Sequence, residues 1–346
     1  MDKLNKNGKS LLQTKKIKLV VVGGGTGTFT VLTGLKKHLR LDLSVIVSMM
    51  DDGGSNRVIR DEFGLLPTSD IRQCIVALSE ENPGDLLRKL FTYRYNLGTG
   101  IAGMTFGNLF MAALADIYGD QKTAIAKTCE FLDVSGNIIP VTYDKCHLVA
   151  RYSNGKQVMG EHDIDEPGEG VAKYRIVELE VFPQAKANPD AISAILSADY
   201  IVFGPGDLYT SILPNVVVSG ISEALKNSHA KKIFVLNLMT KYGQTDRFTT
   251  GKFLSELEKY AGEGVIDYCL ANKSKDFPKG ILERYEAEKA YLVKDDLVES
   301  DKLKILRSDF ISSEVCEKSS SDNIKRSLIR HDPDKLAKAI MSIING

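Results

Sequence analysis

Residues 18–28 have the sequence KLVVVGGGTGT, in which a short β-branched run leads directly into a glycine-rich turn. The run from Lys18 to Val22 is apolar and short, which predicts a buried strand. Apolar residues then recur at helical spacing, at Phe29, Val31, Leu32, Leu35 and Leu39. A second apolar run, Leu43 to Ser48, follows. Strand, glycine turn, helix and strand within about thirty residues predict a βαβ unit and a parallel sheet.

The same alternation returns in the second half of the chain. Further strands are predicted at Tyr200–Phe203, Lys232–Leu238 and Val265–Ala271, and further helices at 71–78, 85–93, 108–118, 122–132 and 216–226. Between the two halves, residues 146–181 form short alternating runs around Asn154-Gly155, a strong β-hairpin signal. We interpret this stretch as an antiparallel insertion and not as part of a site. The predicted fold class is α/β: Rossmann-like and doubly wound, with a mostly parallel sheet, a β-hairpin insertion and a C-terminal α/β extension.

The predicted organisation has three parts. Residues 1–15 are polar and predict a flexible leader, and residues 16–272 form the nucleotide-binding domain with the insertion at about 146–181. Residues 273–346 form an extension that closes the site. Within it, 314–323 is serine-rich and predicts a mobile loop. Asp332-Pro333 then opens a final helix, with aspartate as the N-cap and proline at the first helical position.

The composition excludes several classes of protein. The chain has 346 residues, 43% hydrophobic, with 45 basic and 45 acidic residues. This balance gives no electrostatic reason to expect nonspecific nucleic-acid binding, which needs a basic face, and no nucleic-acid partner is expected, although net charge does not exclude a local basic patch. Five scattered cysteines without a CxxC pair argue against a zinc module and fit a reducing compartment. No apolar run approaches the ~20 residues that span a bilayer, so we expect a cytoplasmic protein without membrane insertion. A homo-oligomer is compatible with the sequence.

The first candidate site is the glycine turn itself, with Gly24, Gly25, Thr26 and Gly27 as its binding residues. Glycines let the backbone approach a phosphate closely, and the helix that follows offers N–H groups and a positive dipole end. The dinucleotide fingerprint GxGxxG fails because its third glycine position holds Thr30, and no Walker lysine follows. The turn therefore predicts a phosphate site of unspecified type.

The second candidate follows the next strand, with Asp51, Asp52 and Ser55 as its polar residues. An acid about 26 residues after the glycine turn can hold a ribose hydroxyl. Alternatively, one acid holds a divalent cation, for which we take Asp51 as the candidate Mg²⁺ ligand, or one acid faces the site while the other caps the next segment. The sequence does not decide which aspartate has which role.

Two further loops open helices near the middle of the chain. Ser69 or Asp70 can cap the helix that follows. Arg72 in its first turn opposes the helix dipole, and a bound anion would explain it. Asn108 is either the N-cap of the next helix or a ligand for a base or sugar hydroxyl, since its amide both donates and accepts.

The fourth loop again follows a predicted strand. Gly204, Gly206, Asp207 and Tyr209 are its candidate binding residues, and the alternative is a plain strand-to-helix turn. No nucleophile motif is present. We interpret His147 as a core histidine and His331 as a surface neighbour of Arg330. Any catalysis would then depend on positioning and charge stabilisation.

Five motifs occur together in order: GGGTG, DDGGS, DIRQC, FGNLF and GPGDLYTSI. On these motifs the chain resembles the CofD-like family and, more closely, its bacterial YvcK branch, the gluconeogenesis factors. The resemblance extends from about Ile17 to Ala271 and resumes at 328–333.

The resemblance implies a ligand class. CofD enzymes transfer a 2-phospho-lactyl group from a nucleotide-diphosphate donor to a deazaflavin, assisted by magnesium. Proteins of the YvcK branch look like binders of UDP-sugars, and they are needed for growth and cell shape on gluconeogenic carbon sources. The implied site residues are the loops 24–27 and 204–207 for the diphosphate, Asp51 and Asn108 in the pocket, and Tyr285 and Arg330 near the nucleotide.

Three functions therefore follow. The leading one is a cytoplasmic binder of UDP-sugars such as UDP-N-acetylglucosamine that regulates carbon flux to the cell wall. The alternative is a CofD-type transferase that uses Mg²⁺. The third, an NAD-dependent enzyme, is disfavoured by the failed third glycine.

Overall fold

The structure is a computed structural model of the chain, and it describes residues 15–80, 86–274, 277, 280–313 and 328–346. The predicted leader, apart from Lys15, and the predicted serine-rich loop at 314–323 lie outside the described residues. Among the described residues, no helix is both long enough and apolar enough to cross a bilayer.

Ten strands are described, and the five strands with predicted bounds all occur within a few residues of them, whereas the strands at 137–140 and 304–308 are not among the predictions. They are β1 Ile17–Gly23, β2 Leu41–Val47, β3 Asn137–Pro140, β4 His147–Tyr152, β5 Gln157–Met159, β6 Ile176–Phe182, β7 Tyr200–Phe203, β8 Lys231–Val235, β9 Tyr268–Asn272 and β10 Lys304–Ser308.

The helices flank the sheet. They are α1 Gly25–Leu35, α2 Gly54–Phe63, α3 Ser69–Leu78, α4 Leu86–Thr92, α5 Phe106–Tyr118, α6 Gln121–Phe131, α7 Glu161–Asp165, α8 Glu169–Ala172, α9 Pro189–Ser197, α10 Leu213–Val216, α11 Ile221–Asn227, α12 Thr250–Ala261, α13 Ile281–Ala287 and α14 Pro333–Ile344. A π-helical turn, Leu208–Ile212, precedes α10.

Seven strands form one parallel sheet in the order β10-β9-β8-β7-β1-β2-β3. The chain builds outward from β1 to β2 and β3, then returns to place β7 on the other side of β1. The strand order therefore reverses between β1 and β7, and in open α/β sheets ligands bind outside the carboxyl ends of the strands at such a switch point. The prediction of a doubly wound, mostly parallel α/β fold is confirmed.

The apolar runs form strands because both faces of the sheet are buried. Alternate residues of β1 face different cores: Val20 and Val22 pack with the insertion side, whereas Leu19 and Val21 pack against α1, α3 and α14. This explains why the run is continuously apolar and not alternating. Helix α14 packs on α1 so closely that a Cβ on Gly34 would overlap the Pro333 carbonyl.

The predicted insertion is a separate antiparallel sheet in the order β5-β4-β6. Its hairpin turns at Asn154-Gly155, where Gly155 has φ +84°. Between β5 and β6 the chain forms α7 and α8, which the alternating pattern did not predict. Since α7 returns to the carboxyl edge of the main sheet, the interpretation that this stretch takes no part in the site is wrong.

The C-terminal part shares the main sheet, since β10 pairs in parallel with β9. The predicted cap of the last helix is confirmed: the Asp332 carboxylate accepts from the backbone N–H groups of Asp334 and Lys335, both at 2.9 Å. The predicted helix at 216–226 is wrong as a single element, because α10 ends at Val216 and α11 begins after Gly220, which has φ +99°.

Candidate functional site

The loops after β1 and β7 lie against each other at the switch point. A Cβ on Gly27 would overlap the Pro205 carbonyl group and lie 3.1 Å from the Gly206 nitrogen, so only glycine permits this contact. A Cβ on Gly206 would in turn lie 3.6 Å from the Gly24 carbonyl oxygen. The two predicted glycine loops are therefore one surface, formed by backbone.

Helix α1 begins inside this surface. Gly25 is its first residue, with φ +65°, and its N-cap Gly24 has no side chain with which to cap the first turn. The carboxylate of Asp70 accepts a hydrogen bond from the Gly25 N–H. The carboxyl group of Asp70 thus already accepts a hydrogen bond at the positive end of α1, where a helix terminus favours an acceptor.

The two adjacent aspartates after β2 have different roles. Asp51 accepts from the Gly53 N–H at 2.9 Å and from the Asn56 amide at 2.6 Å. Asp52 accepts from the His162 N–H at 2.9 Å and forms an ion pair with Arg60 at 3.6 Å. Asp52 therefore connects the end of β2 to the insertion, whereas Asp51 belongs to a cluster of acidic side chains at the carboxyl edge of the sheet.

A buried hydrogen-bond network supports these loops from below. Asn108, fully buried, accepts from Arg72 Nε at 3.1 Å and donates to the hydroxyls of Ser55 and Ser69, both at 3.2 Å. The Ser69 hydroxyl in turn donates to Asn56 at 2.9 Å. The network brings Ser55, Arg72 and Asn108 together, as three of the predicted site residues.

The capping alternatives for this region are wrong. The N-cap of α5 is Thr105, whose hydroxyl accepts from the Asn108 N–H, so Asn108 is not the cap. The N-cap of α3 is Thr68, without a side-chain cap. Ser69 and Asp70 do not cap α3 because their side chains are turned toward the network and toward Gly25.

Helix α7 brings acidic residues of the insertion to the same edge. Asp165 accepts from Thr210 Oγ1 at 2.8 Å and from Lys241 Nζ at 2.6 Å. Lys241 also contacts the Asp207 carboxylate at 2.7 Å. One lysine thus joins the insertion to the β7 loop.

Several carboxylates share this region, and their pKa values reflect it. Burial, and then the charge of Asp51, raise the pKa of Asp70 to about 7. Burial, and then the charges of Asp51, Asp165 and Asp70, raise the pKa of Glu161 well above its usual value. Burial also raises the pKa of Asp51. For Asp165, burial is opposed by Lys241 and the hydrogen bonds it receives, and its pKa is lowered.

The remaining predicted residues lie apart from this group. Tyr209 is fully buried in the core, with its ring 6.5 Å from the Phe248 ring centroid, so the structure places it in packing and not at the open edge. Tyr285 is also buried, and its hydroxyl accepts from the backbone N–H groups of Leu328 and Ile329 at 2.8 and 3.0 Å. Tyr285 therefore holds the segment that leads into Arg330.

Both histidine interpretations are wrong. His147 is not a core residue: its side chain is 40% exposed and lies 3.0 Å from Arg60. His331 is not on the surface, because it is only 8% exposed and its ring bonds the backbone of Leu236, just beyond β8. The sequence around position 331 indicates the N-cap of the last helix, and it does not indicate whether the histidine before the cap is buried.

The magnesium that the resemblance implies can be tested against these residues. Among the described residues, no group of three or more His, Cys, Asp or Glu side chains forms a metal-ligand set. Carboxylate oxygens suit Mg²⁺, which commonly binds through one or two carboxylates together with substrate phosphates. Asp51 would hold such a cation, which would offset the charge of a bound phosphate, since the described residues do not form a protein-only cage.

The fold and the glycine loops at the carboxyl edge of the main sheet define the class of protein: a doubly wound α/β protein with a glycine-lined candidate site at its switch point. The model of the 2-phospho-L-lactate transferase CofD family matches residues 19–311. This chain belongs to the CofD family.

Relatives and solved structures agree with this assignment over nearly the whole chain. The chain is 36% identical to the gluconeogenesis factor of Bacillus subtilis over 330 residues, which cover 95% of this chain and 99% of that one. It is 35% identical to the gluconeogenesis factor of Halalkalibacterium halodurans over 328 residues, covering 94% and 96%. A crystal structure of a UPF0052 family member from Bacillus halodurans has a TM-score of 0.83 at 33% identity, covering 95% and 99%.

Proposed function

We propose that this protein binds a UDP-sugar, such as UDP-N-acetylglucosamine, and acts in the cytoplasm as a regulator of gluconeogenic growth, of carbon flux to the cell wall and of cell shape. The observation that carries the proposal is the contact of the β1 and β7 glycine loops at the switch point, where Gly27 meets the Pro205 carbonyl. Backbone N–H groups at such a helix terminus suit a diphosphate. The name gluconeogenesis factor of the relatives supports the regulatory part.

The diphosphate lies across the two glycine loops in this proposal. The sugar extends toward Asp51 and α7, where carboxylates can accept from its hydroxyls. The nucleoside extends the other way, toward the C-terminal segment that Tyr285 holds. Arg330 lies in that segment and provides a cation near the ligand.

A CofD-type transferase is the second candidate, and one observation favours it. Burial raises the pKa values of Asp51, Asp70 and Glu161, and the charge of Asp51 raises those of Asp70 and Glu161 further, so a divalent cation at this cluster would favour the ionised carboxylates. In that function Mg²⁺ would supply charge stabilisation for transfer of a phosphate-linked group. Asp51 would hold the cation.

Thermal unfolding of the full chain tests the proposal. The protein is heated with UDP-N-acetylglucosamine, UDP-glucose, GDP or NAD, each with and without Mg²⁺. A ligand at a hundred times its dissociation constant stabilises the folded state by ~2.7 kcal/mol, which raises the melting temperature by a few degrees. A rise with UDP-sugars supports the proposal, a rise with GDP and Mg²⁺ alone supports the transferase, and a rise with NAD alone contradicts both.

A further inference from the structure

Two buried hydrogen-bond acceptors lie at the carboxyl end of β8. They are Nε2 of His331 and Oδ1 of Asn237, and no group among the described residues donates to either atom. A buried acceptor without a donor costs about 1–3 kcal/mol. Two such atoms on one stretch of the sheet edge call for a common physical explanation.

The neutral ring of His331 leaves its Nε2 as a hydrogen-bond acceptor. The imidazole is only 8% exposed and forms a hydrogen bond with the backbone of Leu236 that favours the protonated ring, so it donates to that carbonyl. Burial lowers the pKa of His331 to about 4, so the ring is neutral at pH 7. With one nitrogen donating to Leu236, the other carries a bare lone pair.

Asn237 links this end of β8 to the proposed diphosphate loop. Its amide Nδ2 donates to the Gly206 carbonyl oxygen at 2.9 Å. This bond fixes the orientation of the amide and leaves Oδ1 as the remaining acceptor. Asn237 follows Leu236 directly, and the His331 ring bonds the backbone of Leu236, so both unpaired acceptors lie beside residues 236–237 although His331 belongs to the C-terminal segment.

Their place in the sheet fits the nucleoside half of a bound nucleotide. β8 pairs with β7, and β7 with β1, so the end of β8 lies one strand beyond the switch point. At a strand spacing of about 4.8 Å, that is roughly 10 Å from β1. A ribose or base attached to a phosphate on the two glycine loops spans this distance.

We infer that His331 and Asn237 select the nucleoside by accepting hydrogen bonds from its ribose hydroxyl or base N–H groups. The inference rests on the proposed function, since it assigns a role within the same site. A site that buries an acceptor rejects an analogue without the matching donor, because the acceptor is then left unpaired. His331 and Asn237 therefore determine specificity, and the backbone loops supply phosphate affinity.

Isothermal titration of the full chain with UDP analogues tests this inference. The ligands are UDP, 2′-deoxy-UDP, 3′-deoxy-UDP and N3-methyl-UDP, all with Mg²⁺, which separate the two ribose hydroxyls from the base N–H. We expect wild-type protein to lose roughly 5- to 100-fold in affinity for at least one analogue. We expect His331→Phe to bind UDP more weakly than wild type does, and to bind that analogue with the same affinity as UDP.

Controls keep the outcomes distinct. His229→Phe changes an exposed histidine before β8 and leaves every affinity unchanged. If His331→Phe does not fold, His331→Asn, which keeps an acceptor, and the wild-type analogue series carry the test. Equal wild-type affinity for all four ligands overturns the inference alone. An equal loss for all four in His331→Phe also overturns it, and no binding of UDP at all refutes the proposed function as well.

Discussion

Gly25 offers a test of the phosphate loop that separates binding from folding. It has φ +65° at the first position of α1, and a Cβ there would meet only Ser211 Oγ, at 3.7 Å. Alanine therefore fits sterically but must hold a left-handed backbone conformation. Gly64, which ends α2, has φ +64° and its Cβ would meet only Lys145 Nζ, also at 3.7 Å. The two positions are matched in strain and space, and only Gly25 lies in the site.

The expected magnitudes follow from this match. A left-handed alanine costs about 1–2 kcal/mol, part of which the reduced entropy of the unfolded chain offsets. Gly25→Ala and Gly64→Ala should each destabilise the fold by about 1 kcal/mol. If alanine relaxes toward ordinary φ values, the Gly25 N–H leaves the Asp70 carboxylate, and the backbone N–H groups of the turn shift away from the anion position. The loss of one hydrogen bond to a charged group raises the dissociation constant roughly 10- to 100-fold.

The assay combines urea unfolding with calorimetric titration of UDP-N-acetylglucosamine on both variants and the wild type. Similar losses of stability with weakened binding in Gly25→Ala alone are the expected result. Equal affinity in the two variants would refute the reasoning that the backbone of the Gly25 turn contacts the ligand. Equal weakening in both would show that general destabilisation, and not the loop, controls affinity.

Three further predictions concern the charges around the site. Lys241→Met leaves the carboxylates of Asp165 and Asp207 without their cation. Because all three groups keep some exposure, we expect the free energy of unfolding in urea to fall by about 1–3 kcal/mol. Adding Asp165→Asn should restore most of this loss. Burial, and then a neighbouring carboxylate, raise the pKa of Asp70 to about 7, so between about pH 4 and 7 the folded state retains a proton that the unfolded state releases. The stability of Asp70→Asn should therefore rise relative to that of wild type as pH increases from about 4 to 7. A difference in stability that stays constant over this range would contradict the prediction. Asp52→Ala removes the tie to α7, and hydrogen exchange should accelerate in α7 but not in β1.

The sequence predicts the sheet and its two glycine loops because the signals there are local. A continuous apolar run needs two covered faces, and a glycine cluster after it needs backbone freedom, so Val20 to Gly27 specify both strand and turn. Lys241 follows the strand predicted at Lys232–Leu238, and Asn237 lies near the carboxyl end of that predicted strand. The carboxyl-edge rule could have identified them, but their loop has no glycine cluster to draw attention to it.

Other site residues have no local signal. Glu161 and Asp165 lie in an insertion whose alternating pattern predicts only a hairpin, and their place at the sheet edge depends on Asp52 and Lys241, far away in sequence. Tyr209 shows the opposite error. Its motif suggests a ligand, but the π-helical turn directs its ring into the core beside Phe248.

The charge of the site leads to a last prediction, on magnesium. The charge of Asp51 adds to burial in raising the pKa values of Asp70 and Glu161, and a diphosphate would add further negative charge beside Asp51. Like charges in a partly desolvated site oppose binding, so affinity for UDP-N-acetylglucosamine should be weak in EDTA and rise with Mg²⁺. Asp51→Asn removes one of these charges and the proposed metal ligand together, so it should bind more tightly than wild type in EDTA and gain less from Mg²⁺. Titrations of both proteins in EDTA and in Mg²⁺ measure the four affinities. An equal gain from Mg²⁺ in the two proteins would remove Asp51 from the cation's coordination, and no gain in wild type would show that backbone N–H groups alone balance the diphosphate.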